Sequence, residues 1–149
     1  MEIYLDNAAT TRPKTSAAMQ RHFERLWYNP SSAYGQAEAV FKEIKQVRQQ
    51  LCGAVQLNGT CLFTSGGTEA NNMALNALSR RGAHIVVSAV EHPSVYETCR
   101  HLEQSGIRVD YVKPRGFVIH PEDAAELVTE ETALVSVMHV NNETGALND

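Results

Sequence analysis

Apolar residues recur at spacings of three and four over two early stretches of the chain. From Lys14 to Trp27, the residues Ala17, Ala18, Phe23, Leu26 and Trp27 share one stripe, with Pro13 just ahead of it. From Gln36 to about Leu51, Val40, Ile44, Val47 and Leu51 form a second stripe, while Lys42, Lys45, Arg48 and Gln49 take other faces. Both patterns predict helices. Asn29-Pro30-Ser31-Ser32 separates them, and Cys52-Gly53 suits the end of the second. Ahead of both, Glu2 to Leu5 predicts a short strand stopped by Asp6-Asn7.

Beyond Gly53 the pattern alternates. Cys61 to Thr64 predicts a buried strand, Thr68 to Arg81 a helix ended by Gly82, and His84 to Ala89 a strand with a continuous apolar centre. Pro93 to Ser105 predicts a helix ended by Gly106, Ile107 to Val112 a strand, Pro121 to Val128 a helix opened by proline, and Ala133 to Val140 a further apolar strand. Strands separated by helices and bounded by Gly and Pro indicate an α/β layer with a largely parallel sheet. There is no internal repeat and no low-complexity linker.

Composition narrows the partners. The 149 residues, 43% hydrophobic, suffice for one ordinary domain with a substantial core. The net charge is -4 and the basic residues are scattered, so no footprint for nucleic acid or an anionic membrane exists, and a small molecule is the expected partner. No apolar run approaches the roughly 18 residues of a membrane span, and Met1 leads into an acidic, strand-like segment instead of a basic and apolar signal. The expected location is the cytoplasm. Cys52, Cys61 and Cys99 stand far apart without a Cys-x-x-Cys pair, which argues for reduced thiols and against a zinc site or a disulfide framework.

Three polar turns carry candidate chemistry. Thr64-Ser65-Gly66-Gly67-Thr68-Glu69-Ala70-Asn71-Asn72 lies where a predicted strand turns into a helix. The glycines allow close backbone approach, and the first helical amides would grip a phosphate without lysine, with the Thr68 hydroxyl as an extra donor. The same residues would also make an ordinary Gly-Gly turn capped by Ser65 or Thr68. Neither a Walker loop nor a Gly-x-Gly-x-x-Gly fingerprint is present. Glu91-His92-Pro93-Ser94 follows the next strand; its imidazole can stack on a planar ring or move protons, or merely cap the helix. Val140-Asn141-Asn142-Glu143-Thr144-Gly145 follows the last strand, and suits either a ligand's hydroxyl or carbonyl, or a simple Asx turn. All three would fall on the carboxyl edge of one parallel sheet, where ligands sit in open α/β folds.

Together with Leu5-Asp6-Asn7-Ala8-Ala9-Thr10-Thr11 and Asn29-Pro30-Ser31-Ser32, these turns form five ordered signatures, and the chain resembles the cysteine desulfurases of the NifS/IscS type. Those enzymes belong to the class V aminotransferase group of fold-type I pyridoxal-phosphate (PLP) enzymes. The resemblance covers the whole chain. It implies a three-layer α/β/α fold, part of the PLP-dependent transferase large domain, with residues 1–12 in the small domain and 13–149 in the large one. It implies pyridoxal 5'-phosphate as cofactor, with Gly67 and Thr68 on its phosphate, His92 stacked on the pyridine ring and assisting proton transfer, and Asn142 on the phenolic oxygen. Asn7 and Ala8 would approach the substrate side. The implied reaction takes sulfur from L-cysteine as an enzyme persulfide, leaves L-alanine, and serves iron-sulfur cluster or thio-cofactor synthesis through an acceptor or scaffold protein, in a homodimer.

Departures from the family pattern are informative. Tyr34 stands where a histidine usually follows the Asn-Pro-Ser-Ser turn, and Ala37 stands where a glycine is usual. The family's aspartate for the pyridine nitrogen, its Ser-x-His-Lys segment and its sulfur-accepting cysteine would lie beyond Asp149, and none of the six histidines here precedes a lysine. Cys52, Cys61 and Cys99 fall in predicted helix or strand positions and are not assigned the persulfide role. The chain is therefore expected to be an N-terminal fragment that is inactive alone and holds PLP weakly or not at all. Two rival readings remain: a selenocysteine lyase or other class V aminotransferase, and a non-catalytic fragment that self-associates through apolar patches.

Overall fold

The computed structural model describes residues 3–79 and 82–148, and the chain divides into two compact units, Met1–Phe63 and Thr64–Asp149. The first unit holds α1 (Ser16–Arg25) and α2 (Gly35–Ala54). The predicted helix from Lys14 to Trp27 is shorter at both ends, because the Leu26 amide closes the last turn onto the His22 carbonyl and Trp27 leaves the helix to stack on Tyr28 at 4.2 Å. α2 buries Ala37 completely and Val40 nearly so. Near its end the Arg48 guanidinium lies 5.4 Å from the Phe63 ring centre, within cation–π range.

Two predicted strands do not form. Residues 3–5 are exposed and irregular, and Glu2 lies outside the described residues. The Tyr4 hydroxyl instead donates to the Asp6 carbonyl, whose oxygen also accepts the Ala9 and Thr10 amides in a local turn. Residues 61–64 are also irregular, with Leu62 and Phe63 more than half exposed. A strand needs a neighbour for its backbone donors and acceptors, and neither segment has one among the described residues.

The second unit begins with α3 (Gly67–Leu78), which stops short of the predicted end; Arg81 lies outside the described residues. Then come β1 (His84–Ser88), α4 (Pro93–Gln104), β2 (Arg108–Val112), α5 (Pro121–Leu127) and β3 (Thr132–Ser136). The strands form a parallel sheet in the order β2-β1-β3. β1 is buried along its whole length, as its central position and its Ile-Val-Val centre require. Ile85 and Val87 face Leu75 of α3 and Val95, Cys99 and Leu102 of α4, whereas Val86 packs with Val112, Ile119, Ala124 and Leu127 on the α5 side. The predicted three-layer α/β/α arrangement is thus present. β3 is shorter than predicted: Val140 leaves the sheet and makes an isolated antiparallel bridge with Leu147.

At the amino edge one side chain joins all three strands. The His84 ring is buried, with Nδ1 2.8 Å from Thr132 Oγ1 and Nε2 3.0 Å from Asp110 Oδ2, and Arg108 donates to the same Asp110 oxygen at 2.8 Å. That edge is fully engaged in holding the sheet together. The carboxyl edge is where polar turns remain.

The α3–α4 face contains two groups that resist ionisation. Burial, and then the charge of Glu91, pushes the Cys99 thiol up to about 11; burial, and then Glu103, pushes the Tyr111 phenol up to about 12. Both keep their protons in the fold at pH values where an unfolded chain releases them, so the native state binds more protons and stability falls as pH rises. Denaturation midpoints should hold steady below about pH 9, the ordinary thiol value, and decline between there and pH 12. Tyr111→Phe, which also removes a buried hydroxyl without a partner, should flatten the part of the decline above pH 10. A flat profile for the unsubstituted chain through pH 11 would contradict this account.

Candidate cofactor site

Because β1 is parallel to its neighbours, the ends of β1 and β3 lie on one edge of the sheet. α4 starts from that edge directly after β1. α3 is brought to it by hydrogen bonds: Asn71 Nδ2 donates to Ser94 Oγ at 2.8 Å, and one turn further along Thr98 Oγ1 donates to Asn72 Oδ1 at 3.0 Å. Both bonds join the first two turns of α3 to the first two turns of α4, so the N-terminal halves of the two helices lie side by side. The glycine turn thus reaches the shared rim through helix pairing, although the strand predicted before it is not formed.

At the N-terminus of α3 the first helical hydrogen bond runs from the Ala70 amide to the Gly66 carbonyl at 3.1 Å. The amides of Gly67, Thr68 and Glu69 precede it and lack intrahelical acceptors. A Cβ placed on Gly66 or Gly67 would meet nothing within 4 Å, so the approach to these amides is open. Thr68 is exposed beside them. Glu69, the acid of this first turn, has Oε2 2.6 Å from the Ser65 amide, and hydrogen bonding from Ser65 holds its carboxyl below the usual range. Its charge is thereby turned back onto Ser65. The remaining set, neutral N–H donors plus a hydroxyl at the positive end of a helix, fits a phosphate group.

His92 is the N-cap of α4, followed by Pro93 in the first helical position. Its Nδ1 accepts the Ser94 amide at 3.1 Å, and the ring is otherwise exposed. Capping and an outward-facing ring are therefore both realised. Glu91, beside it, is structural: Oε1 accepts from Ser88 Oγ at 2.9 Å and from the Met138 amide at 2.6 Å, joining the exits of β1 and β3.

In the third turn the two asparagines differ in role. Asn141 forms an Asx turn, with Oδ1 accepting the Glu143 and Thr144 amides at 3.0 and 2.9 Å, while Nδ2 donates to the Val90 carbonyl at 3.1 Å. Asn142, the predicted ligand residue, is exposed on that turn, two residues from Thr144. The sequence did not identify Asn148, whose side chain accepts the Ile119 amide at 2.8 Å and donates to the Met138 carbonyl at 2.7 Å. Nothing in a Leu-Asn-Asp ending signals such a contact. His92 and Asn142 sit on turns beyond the carboxyl ends of β1 and β3, and Thr68 is the second residue of α3, whose first turns pair with those of α4. Asn7 and Ala8 belong to the first unit, exposed on the Asp6–Thr10 turn, where the Asn7 carbonyl accepts from Thr11 Oγ1 at 3.2 Å. A cleft of about 620 Å³ in the first unit, lined by Phe41, Ile44, Arg48, Cys52 and Cys61 among others, contains none of the predicted site residues.

A parallel sheet covered on both faces, with polar turns at its carboxyl edge, defines an open α/β fold with a candidate ligand site at that edge. The class-V aminotransferase family model matches residues 3–149, and the chain belongs to that family, which implies pyridoxal 5'-phosphate as cofactor. It is 39% identical to cysteine desulfurase IscS of Dictyoglomus turgidum over 98% of this chain, and 37% identical to cysteine desulfurase IscS of Shewanella sp. (strain ANA-3) over 100% of it. The chain spans 39% and 40% of the lengths of those relatives. Among solved structures it is similar to a NifS-like protein, with TM-score 0.86 and 32% identity, covering 99% of this chain and 43% of that one. It is also similar to SspA in complex with cysteine, with TM-score 0.83 and 30% identity, covering 97% of this chain and 44% of that one. Among the described residues no helix is long and apolar enough to cross a membrane.

The division of labour between the two asparagines is testable. Asn141→Ala leaves the Val90 carbonyl and two turn amides without their partner and should cost about 1–3 kcal/mol in denaturant unfolding. Asn142→Ala should leave stability within about 0.5 kcal/mol, as for an exposed surface position. Equal losses from the two substitutions would refute the assignment.

Proposed function

We propose that this chain carries the phosphate-holding and ring-facing wall of the cofactor site in a PLP-dependent cysteine desulfurase, an enzyme that takes sulfur from L-cysteine and leaves L-alanine. The observation that carries the proposal is the hydrogen-bonded pairing of the first turns of α3 and α4, the helices at whose starts Gly67, Thr68 and His92 stand. The desulfurase names of the relatives, and the similarity to SspA in complex with cysteine, support the choice of substrate.

When bound, pyridoxal phosphate supplies an electron sink for bond cleavage next to the substrate's α-carbon. The chain's own residues hold it and shield it. Gly67 and Thr68 offer backbone N–H groups and a hydroxyl to the phosphate dianion, which the helix dipole stabilises further. His92 would stack its exposed ring on the pyridine ring and assist proton transfer. Asn142 would donate its amide to the phenolic oxygen, and Asn141 keeps the turn in shape by accepting the Glu143 and Thr144 amides. Asn7 and Ala8 line the substrate side. In this reading residues 1–12 belong to the small domain and 13–149 to the large one, and the enzyme is a cytoplasmic homodimer. It passes its sulfur to an acceptor protein for iron-sulfur or thio-cofactor assembly. The exposed apolar side chains of Phe23 and Trp27, 70% accessible each, are in keeping with a protein partner.

Comparison of pyridoxal 5'-phosphate with pyridoxal separates phosphate binding from ring binding. Thr68→Val should weaken the phosphorylated ligand about tenfold or more, the worth of a hydrogen bond to a charged group, and leave pyridoxal unaffected. Fluorescence titration of the chain reads both affinities. Equal affinity of the unsubstituted chain for the two ligands would overturn the proposal.

A further inference from the structure

Two side chains outside the assigned site control how His92 is presented. Ser94 is buried, and its Oγ lies 2.8 Å from His92 Nδ1 and 2.8 Å from Asn71 Nδ2. An amide NH2 only donates, so the Ser94 hydroxyl accepts from Asn71 and keeps its own proton to give. The Ser94 backbone N–H, also solely a donor, points at the same Nδ1 from 3.1 Å. Two donors converging on Nδ1 require its lone pair to be there, and the proton of the neutral ring is then on Nε2. Among the described residues Nε2 makes no hydrogen bond, so the exposed edge of the ring offers a donor to whatever faces it.

The same network continues to the phosphate turn. Asn71 and Asn72 are neighbours on α3; Asn72 Nδ2 donates to the Thr68 carbonyl at 2.8 Å while its Oδ1 accepts from Thr98, whose hydroxyl also lies 2.9 Å from the Ser94 carbonyl. Thr68 and His92 are thus the two ends of one hydrogen-bonded unit. We propose that Ser94 and Asn71 are positioning residues that fix His92 as the Nε2-protonated tautomer, with its ring plane set by the helix that holds the phosphate. The functional meaning of this device rests on the reading of His92 as the ring-facing residue. It assigns His92 the part of proton donor at Nε2, since Nδ1 is occupied.

Nitrogen-15 NMR of the histidine-labelled 149-residue chain at neutral pH reads the tautomer directly, with the His92 signals assigned by their loss in His92→Gln. The unsubstituted chain should show the Nε2–H form. Ser94→Ala should raise the Nδ1–H fraction several-fold, Ser94→Thr should restore the original spectrum, and Asn71→Ala should shift the balance in the same direction as Ser94→Ala. An Nδ1–H form in the unsubstituted chain, or spectra unchanged by both alanine substitutions, would overturn the proposal. Should Ser94→Ala fail to fold, Asn71→Ala decides alone. Pyridoxal-phosphate titration of the same samples keeps the two ideas apart: ligand-induced shifts that spare the His92 ring sink the cofactor reading and leave the tautomer result standing, whereas shifts at His92 with an unresponsive tautomer sink only the positioning role.

Discussion

The pairing of the first turns of α3 with those of α4 is the constraint on which the candidate site depends. The bonds from Asn71 to Ser94 and from Thr98 to Asn72 tie the glycine turn to the helix that His92 caps, because no strand among the described residues precedes α3 to anchor it in the sheet. Two polar contacts on half-buried or buried side chains set that alignment, and the apolar contact of Leu75 with β1 and α4 holds it. Neutral amides and hydroxyls fill this role at little electrostatic cost, since each donor there meets an acceptor.

Around that pair, the rim separates residues that build it from residues that face outward. Glu91, Asn141 and Asn148 direct their polar atoms to backbone groups of neighbouring turns. Gly67, Thr68, His92 and Asn142 are exposed. This separation follows from a general rule: buried backbone groups in loops demand partners, so the side chains that satisfy them have no capacity left for a ligand. The opposite edge shows the same behaviour, where His84, Asp110 and Thr132 satisfy one another.

Most of the second unit was legible in the sequence because each element there is bounded by a residue with one structural meaning. Pro93 and Pro121 open α4 and α5, while Gly82 and Gly106, both at positive φ, end the connections before β1 and β2. The isolated apolar runs at 2–5 and 61–64 misled because periodicity reports a preference for burial and cannot report whether a neighbouring strand exists. The positions of Thr68 at the start of α3 and of His92 at the start of α4 were legible through the turns that precede these helices. The relay through Asn71, Ser94, Asn72 and Thr98 was not, because it is a contact between helices whose residues are separated by 23 and 26 positions. The same limit hid Asn148, which acts on Ile119 across 29 positions.

The central claim is that one ligand touches both helix ends at once. Titration of the labelled chain with pyridoxal 5'-phosphate, followed by amide and imidazole chemical shifts, tests it directly. The account predicts that the Gly67, Thr68 and Glu69 amides and the His92 ring move together along one binding curve. Movement of either group without the other, or shifts centred on a different part of the chain, would contradict it.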